Sequence, residues 1–336
     1  MVRDSQDVVV NFLHEEDMGK FRSLHGRLND AEQILLATHE NPDGDGIGAM
    51  LALSLFLREK GKYTVPFSTD GVPESLSFLP GSDAVQTVLP PHDFFDLIIG
   101  LDYGDVERLH LSPELLDESR FVTIDHHVVA RPFGDLQIVS PLLSSTSEMI
   151  YWFFHENSIS FSKEIALNLI TGILIDTGGF SHITTSPRVL AGASDLLGRG
   201  VVPSRVLRDA IETRSASALK LWGSALCRIR EDKEIGMIYS CISKEDLVRC
   251  NATFDDVAGL ISLLNTISSS RFTVLLVEYE KGVIRGSLRS ERFKGVDVSQ
   301  IAAQLGGGGH RYASGFTRQG TIDDILEEIK EVVREM

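Results

Sequence analysis

The sequence predicts an α/β protein: an open, mostly parallel sheet in the first two-thirds, joined through a helical segment to a smaller α+β part. Three observations carry this. From Ile34 to Ile173, short apolar runs of strand length alternate with longer helical patterns, which is how a parallel sheet covered by helices reads. From Ile235 onward the pattern changes to strands joined by tight turns and closed by one amphipathic helix. With 336 residues, 43% of them hydrophobic, the chain holds enough apolar material for two cores.

In order, Ile34–Ala37 is a buried strand, followed by a polar turn and a helix from Ile47 to Lys60. Tyr63–Phe67 is a second strand; Asp96–Leu101 (DLIIGL) and Phe121–Ile124 (FVTI) are two more. Helices fill Ser145–Glu156 and Lys163–Ile173. Ser186-Pro187 starts another, and Gly198–Pro203 interrupts the pattern that follows. Ser204–Glu231 reads as a largely helical connection. After the charged turn Glu231–Glu234, a strand lies at Ile235–Ile242, and Phe272–Tyr279 and Val283–Leu288 form a hairpin across Glu280-Lys281-Gly282. Gly306–Gly309 precedes a last strand, Tyr312–Thr317, and a helix from Ile322. The expected division is 1–203, a helical linker 204–231, and 232–336.

Composition excludes several classes. No apolar stretch approaches the ~20 residues that cross a bilayer, so no membrane role is expected. The N-terminal MVRDSQDVVV lacks the basic and apolar regions of a secretory signal. Cys227, Cys241 and Cys250 form no CxxC pair and read as small buried residues in a reducing, cytoplasmic setting. A net charge of −16 argues against tight binding to long nucleic acid, which needs a broad basic surface. A small phosphorylated ligand in a local pocket is still compatible. Between Arg271 and Arg318, eight Lys/Arg stand against four Asp/Glu, a basic stretch suited to short anions.

The chemistry starts after the first strand, in His39-Glu40-Asn41-Pro42-Asp43-Gly44-Asp45-Gly46. One His and two Asp within seven residues are ligands for Mn²⁺ or Mg²⁺ rather than for a thiolate metal. Gly44 lets the chain bend between the two acids, and a helix start follows. A turn with an Asp N-cap is the alternative for these letters. Three further segments weigh against it. Asp102 closes DLIIGL, Asp125-His126-His127 closes FVTI, and Asp176 closes the helical run LNLITGILI. Ligands of open α/β sheets bind beyond the carboxyl ends of the strands, and four segments deliver acids or histidines toward one such edge.

HENPDGDG (39–46), LDYGD (101–105), DHH (125–127) and DTGG (176–179) resemble, in order, the four motifs of the DHH phosphoesterase superfamily. GGGGHRYASGF (306–316) resembles the glycine-rich signature of the DHH-associated C-terminal domain. The resemblance covers nearly the whole chain and points to the nanoRNA exonuclease and pAp phosphatase branch. It implies two Mn²⁺ ions, with Mg²⁺ or Co²⁺ as substitutes. His39, Asp43 and Asp102 would hold one, and Asp45, Asp102, His126 and Asp176 the other, with Asp102 bridging. Such a pair activates a bridging hydroxide and clamps both oxygens of an in-line displacement. His127 would then stabilise charge on the phosphate. For Asp125, orienting a ligand and plain burial are both open. In the C-terminal part, Arg289-Ser290, Gly306, Gly307, Gly308 and Gly309, then His310 and Arg311, would grip a terminal phosphate or nucleotide.

Tyr312 departs from the family pattern, with base stacking and packing both open. Thr146 and Glu148, in SSTSE, also resemble a family element near the metals, but a helix N-cap explains the same letters and is the reading adopted. Asp105 and Arg108 fit a pair near the site or a loop salt bridge. The other histidines (14, 25, 92, 110, 155 and 182) sit in no ligand pattern. The expected activity is hydrolysis of short RNA to nucleoside monophosphates, and of pAp to AMP, by a cytoplasmic enzyme; the resemblance favours a homodimer, which no residue pattern shows. A c-di-AMP or pApA phosphodiesterase is the nearest alternative. An idle nucleotide-binding regulator on the same fold is the alternative of a different class.

Overall fold

The computed structural model describes residues 15–91, 94–127, 133–182, 184–208 and 215–336. The N-terminal segment, His14 and His92 lie outside the described residues. The chain divides into two compact units, Met1–Thr213 and Arg214–Met336. Among the described residues, no helix is long and apolar enough to cross a membrane.

The first unit runs α1 (Glu15–Asp30), β1 (Gln33–Thr38), α2 (Gly44–Glu59), β2 (Tyr63–Phe67), β3 (Leu97–Leu101), β4 (Phe121–Asp125), β5 (Leu136–Val139), α3 (Thr146–Glu156), α4 (Lys163–Asp176), α5 (Pro187–Gly198) and α6 (Pro203–Val206). Its five strands are all parallel, in the order β2-β1-β3-β4-β5. Strands β1, β3 and β4 are buried along almost their whole length, which is why they read as continuous apolar runs rather than alternating ones. β2 and β3 flank β1 on opposite sides, so the switch in strand order falls between β1 and β3. The register pairs Thr38 with Leu101 and Leu101 with Ile124. It therefore brings His39, Asp102 and Asp125-His126 to one sheet edge.

In the first unit α1 is a helix that the sequence reading lacks, and three further elements differ from that reading. α2 begins at Gly44 rather than Ile47, because the Asp43 carboxylate caps it, accepting from the amides of Asp45 at 2.9 Å and Gly46 at 3.2 Å. α4 continues to Asp176, placing that acid on the last turn of the helix. β5 is a strand the sequence reading lacks. It follows Gly134, whose φ of +89° and approach to the Phe121 carbonyl (2.3 Å from a built Cβ) leave no room for a side chain.

α2 is buried on nearly every side and packs closely on α4. A Cβ on Gly48 would lie 2.5 Å from the Asn168 carbonyl, and one on Gly172 would lie 2.0 Å from Ser147 Oγ and 2.8 Å from Asp45 Oδ1. The helix pair that carries Asp45 and Asp176 thus meets backbone to backbone.

The second unit contains α7 (Ala216–Leu226), β6 (Arg230–Asp232), β7 (Met237–Ile242), α8 (Lys244–Cys250), α9 (Leu260–Asn265), β8 (Phe272–Glu280), β9 (Val283–Ser290), α10 (Val298–Gln304), β10 (Gly308–His310), β11 (Ala313–Gln319) and α11 (Ile322–Glu335). Its sheet, ordered β10-β11-β9-β8-β7-β6, is antiparallel except at β7–β8. Alternating residues of β8 face two cores. Val274 and Leu276 pack with Ile301, Phe316 and Ile325, whereas Leu275 and Val277 pack with Leu221, Leu247 and Leu260. The helix expected to reach Glu231 stops at Leu226, and Arg230–Asp232 pairs with β7 as an edge strand; a charged RED triplet suits an exposed edge. Of the cysteines, Cys250 is buried as expected, but Cys241 is half-buried and Cys227 is exposed.

Gly48→Ala is expected to destabilise the first unit by about 1–3 kcal/mol in urea unfolding, because the helix pair has no slack at that position. Gly19→Ala, on the open face of α1 with nothing within 4 Å, should be neutral or slightly stabilising.

Candidate metal centre

Asp102 follows β3 directly, and its backbone turns into the left-handed region at φ +56°, a conformation Asp tolerates better than most residues. Its amide donates to the Ile124 carbonyl at 3.1 Å. The next two amides, of Tyr103 and Gly104, donate to Asp125 Oδ2 at 3.0 and 2.7 Å. Asp125 Oδ1 in turn accepts from the amide and Nδ1 of His127, both at 2.9 Å. The wholly buried Asp125 carboxylate therefore ties the turn after β3 to the turn after β4. Orientation and burial, left open by the sequence, are one arrangement here, and the residue it orients is His127.

Asp45 is fully buried and is held by the first turn of α3: its carboxylate accepts from the amides of Thr146 at 2.6 Å and Ser147 at 2.8 Å. These are helix N-terminal N–H groups without intrahelical partners, and they favour an anion. Thr146 Oγ1 also donates to Asp102 Oδ1 at 3.2 Å. The cap reading of SSTSE holds for Ser145, which accepts from the Glu148 amide. It missed Thr146, which touches two acids of the centre. The buried Glu148 carboxylate receives the Ser144 amide, the Trp152 indole and Arg188 Nε, fixing the start of α3 from behind. The sequence signal for Thr146 was its own motif, which the simpler cap explanation absorbed.

All six acids and histidines singled out in the sequence as metal ligands come together. His39 Nε2 lies 3.9 Å from Asp102 Oδ2 and 4.0 Å from Asp43 Oδ1. His126 Nε2 lies 3.1 Å from Asp176 Oδ2, 3.4 Å from Asp102 Oδ1 and 3.9 Å from Asp45 Oδ2. Three groups that could hold an ion follow: His39/Asp43/Asp102, Asp45/His126/Asp176 and Asp102/His126/His127, each with its ligand atoms within 4.8 Å of one another. Asp102 belongs to two of them. His126 Nε2 is buried and makes no hydrogen bond, although three carboxylate oxygens surround it. A buried ring nitrogen facing three carboxylates, without a well-formed hydrogen bond to any of them, suits a cation in their midst. The donors are oxygens and imidazoles, which fits Mn²⁺, Mg²⁺ or a similar divalent ion.

The electrostatics agree. Lost hydration, then the charges of Asp102 and Asp176, push Asp43 up to about 6, and the same causes push Asp45 well above the usual carboxylate range. Burial also acts to raise Asp102, but His126 and His127 outweigh it and hold this carboxyl well below its ordinary value. For the two rings burial favours the neutral form, yet the facing carboxylates win: His126 is raised to about 12 and His127 to about 10. Protons occupy positions where divalent ions would supply the same compensating charge.

The side chains of Arg108 and Asp105 do not pair with each other; the Arg108 amide donates to the Asp105 carbonyl at 3.0 Å. Asp105 caps the short turn Val106–Leu109, while Arg108 donates to the Tyr103 carbonyl at 3.0 Å and lies 2.9 Å from His39 Nδ1. That nitrogen is also 2.7 Å from the Glu40 carbonyl, so the ring of His39 is held from behind with Nε2 toward the acids.

Among known proteins, residues 33–173 match the DHH family, N-terminal domain, and residues 235–335 match the DHHA1 domain. A Thermus thermophilus protein named bifunctional oligoribonuclease and PAP phosphatase NrnA is 35% identical over 307 residues, covering 90% of this chain and 89% of its own. The chain belongs to the DHH family. A Bacillus subtilis protein of the same name is 30% identical, covering 90% of this chain and 96% of its own. Among solved structures, an exopolyphosphatase-related protein from Bacteroides fragilis superposes with a TM-score of 0.87 at 26% identity, covering 94% of this DHH chain and 96% of its own.

In the second unit of this DHH chain, Arg289 is part-buried; its guanidinium donates to the Leu288 carbonyl at 3.1 Å, and loss of hydration lowers its pKa. Among the described residues no carboxylate lies within ion-pair distance of it. Ser290 is placed differently from the expectation. Its hydroxyl donates to the Arg271 carbonyl at 2.9 Å and its amide to the Tyr312 carbonyl at 3.0 Å, so both its donors are used inside the fold.

The glycine run is also more structured than a loop. Gly306 (φ +74°) and Gly307 close α10 with amides bonded to the carbonyls of Ala303 and Ala302, a Schellman turn. Gly308–His310 then forms a strand against β11. Gly307 and Gly309 are glycines because β11 lies too close for a Cβ, whereas Gly308 faces open space. His310 and Arg311 are exposed, and Arg311 lies 3.8 Å from Asp297 and over the Tyr312 ring.

A pH dependence follows. In the metal-free protein the folded pKa values of Asp43 and Asp45 lie above the unfolded carboxyl value of about 3.9. Asp43's contribution to stability is present at low pH and is lost as pH rises through about 6, and Asp45's is lost in the same direction, as pH rises through its own raised value. Added MnCl₂ must displace those protons, so the Tm gain it produces should be larger at about pH 7.5 than at about pH 5.5. Thermal denaturation with chelator and with Mn²⁺ at both pH values checks this; an equal or smaller gain at the higher pH contradicts it.

Proposed function

We propose that this protein is a divalent-metal-dependent phosphoesterase that hydrolyses short oligoribonucleotides to nucleoside monophosphates and pAp to AMP. The observation that carries the reading is the convergence on Asp102, whose two carboxylate oxygens face His39 on one side and His126 on the other. His39, Asp43 and Asp102 are assigned to one ion, and Asp45, Asp102, His126 and Asp176 to a second, with Mn²⁺ as the ion and Mg²⁺ or Co²⁺ as substitutes. Bound there, a pair of divalent ions supplies Lewis-acid stabilisation of the attacking and leaving oxygens of a phosphoryl displacement.

The chain's own groups do the rest. Asp125 fixes the ring of His127 through Nδ1. His127, so held, is assigned the negative charge that gathers on the non-bridging phosphate oxygens. The amides of Thr146 and Ser147 aim the Asp45 carboxylate. In the second unit, Arg289 is assigned the substrate's other phosphate, helped by Gly308, His310 and Arg311. A part-buried guanidinium with no carboxylate partner among the described residues is poised for an anion, and a bidentate phosphate is what its fork fits.

The names carried by the Thermus and Bacillus relatives support short RNA and pAp as substrates, and the charge of −16 disfavours a long polyanion. Purified protein with Mn²⁺ should release mononucleotides from oligoribonucleotides of two to five residues and convert pAp to AMP. Preference for c-di-AMP over these would move the substrate to a cyclic dinucleotide, and tight binding without any hydrolysis would make the protein a nucleotide-binding regulator. Asp102→Ala should lower kcat by about 10²–10³-fold or more, and Asp125→Asn by about 10–100-fold. Arg289→Ala should instead raise KM by about tenfold or more with a smaller effect on kcat.

A further inference from the structure

Phe293 is 82% exposed, the most exposed of the large hydrophobic side chains among the described residues. It sits in the short turn Arg292–Lys294, immediately beyond the end of β9 that carries Arg289. In the sheet register Arg289 pairs with Ala313, and the Ser290 amide bonds the Tyr312 carbonyl. The turn holding Phe293 therefore leaves the sheet at the edge where Arg289 meets the His310–Tyr312 hairpin.

An exposed phenyl ring on a loose loop would need no explanation, but this turn is tied down on both sides. Lys294 Nζ donates to the Asn265 carbonyl at 2.8 Å, to Ser270 Oγ at 3.0 Å and to Asn265 Oδ1 at 3.2 Å. Glu291 Oε1 accepts from Asn265 Nδ2 at 3.1 Å. The turn closes through the Lys294 amide on the Glu291 carbonyl at 2.9 Å, and Gly295 follows with φ +75°. Anchors on both sides of Phe293 hold its backbone while its ring stays in water. That is a preorganised stacking surface: little freedom is left to lose when a flat apolar partner covers it. Bases have such a face whatever their identity, and aromatic side chains beside a phosphate contact are how short single strands are held without sequence reading.

We propose that Phe293 is a base-stacking platform for the nucleotide whose phosphate is held by Arg289, so that this unit recognises a nucleoside phosphate rather than phosphate alone. The inference rests on the proposed phosphate grip. Phe293→Trp provides a binding readout that needs no catalysis, because stacking on adenine quenches indole emission. With the wild-type protein, which contains Trp152 and Trp222, as the reference, AMP should quench the added emission of the variant and ribose 5-phosphate should not. Phe293→Ala should raise KM for a diribonucleotide by at least about fivefold, while kcat stays within about twofold.

Three outcomes overturn the proposal. If ribose 5-phosphate competes with the diribonucleotide in an Arg289-dependent way, yet AMP leaves the emission of the Phe293→Trp variant unchanged, stacking fails and the phosphate grip stands. If neither compound competes and Arg289→Ala is silent, the grip itself fails, and stacking with it. If Phe293→Ala leaves KM unchanged and instead splits a dimer in analytical ultracentrifugation, the ring is covered by a second copy of the chain.

Discussion

Four carboxylates, from Asp43, Asp45, Asp102 and Asp176, share one small space at the edge of a parallel sheet, three of them close to the His126 ring and two to the His39 ring. Like charges at that spacing raise one another's pKa, and burial raises them further. The protein can keep all four ionised only if positive charge is brought in, as protons on the rings or as divalent ions; otherwise some of the acids take up protons themselves. The fold accepts this constraint in a specific way. Asp45 takes two helix N-terminal amides, Asp102 takes the Thr146 hydroxyl, and Asp43 takes the first amides of α2. These bonds orient the carboxylates but cannot neutralise them, so an appetite for cations is built into the site.

The backbone is arranged to sustain that crowding. Asp102 is turned into a left-handed conformation at the sheet's switch point, and Asp125 locks the next two amides against the β4 turn. Tyr103 adds a buried hydroxyl contact to Thr123, which bonds the Phe133 carbonyl at 2.6 Å. α2 and α4, which deliver Asp45 and Asp176, approach through Gly48 and Gly172 with no space for a methyl group. Moving either helix outward would separate acids that the chemistry needs together. Packing and electrostatics are therefore the same design seen from two sides.

Much of this was legible in the sequence. The buried parallel strands announce themselves as continuous apolar runs, and β1, β3 and β4 each carry an acid or histidine at or just past their ends, where sheet topology gathers them. Contacts made by backbone amides were not legible. Nothing in the letters says that Asp125 binds the amides of Tyr103 and Gly104, or that α3 points its first turn at Asp45. Thr146 was assigned to a cap because a cap explains Ser-Ser-Thr-Ser-Glu without any site. In the second unit, the glycines of 306–309 read as room for a ligand, yet Gly307 and Gly309 answer to the closeness of β11, and Ser290 spends its donors inside the fold. Short charged β6 and the small helices α8 and α9 lack the periodic apolar face that makes an element visible. Phe293 escaped for the opposite reason: an exposed ring has meaning only once the turn beneath it is seen to be pinned.

Sharing of Asp102 between two cations is the claim on which the rest depends. Crystals grown with MnCl₂ and measured near the manganese absorption edge test it most directly. Two anomalous peaks are expected, one contacting His39, Asp43 and Asp102, the other contacting Asp45, Asp102, His126 and Asp176. A single peak that leaves Asp102 out, or no peak among these residues at saturating Mn²⁺, would contradict it.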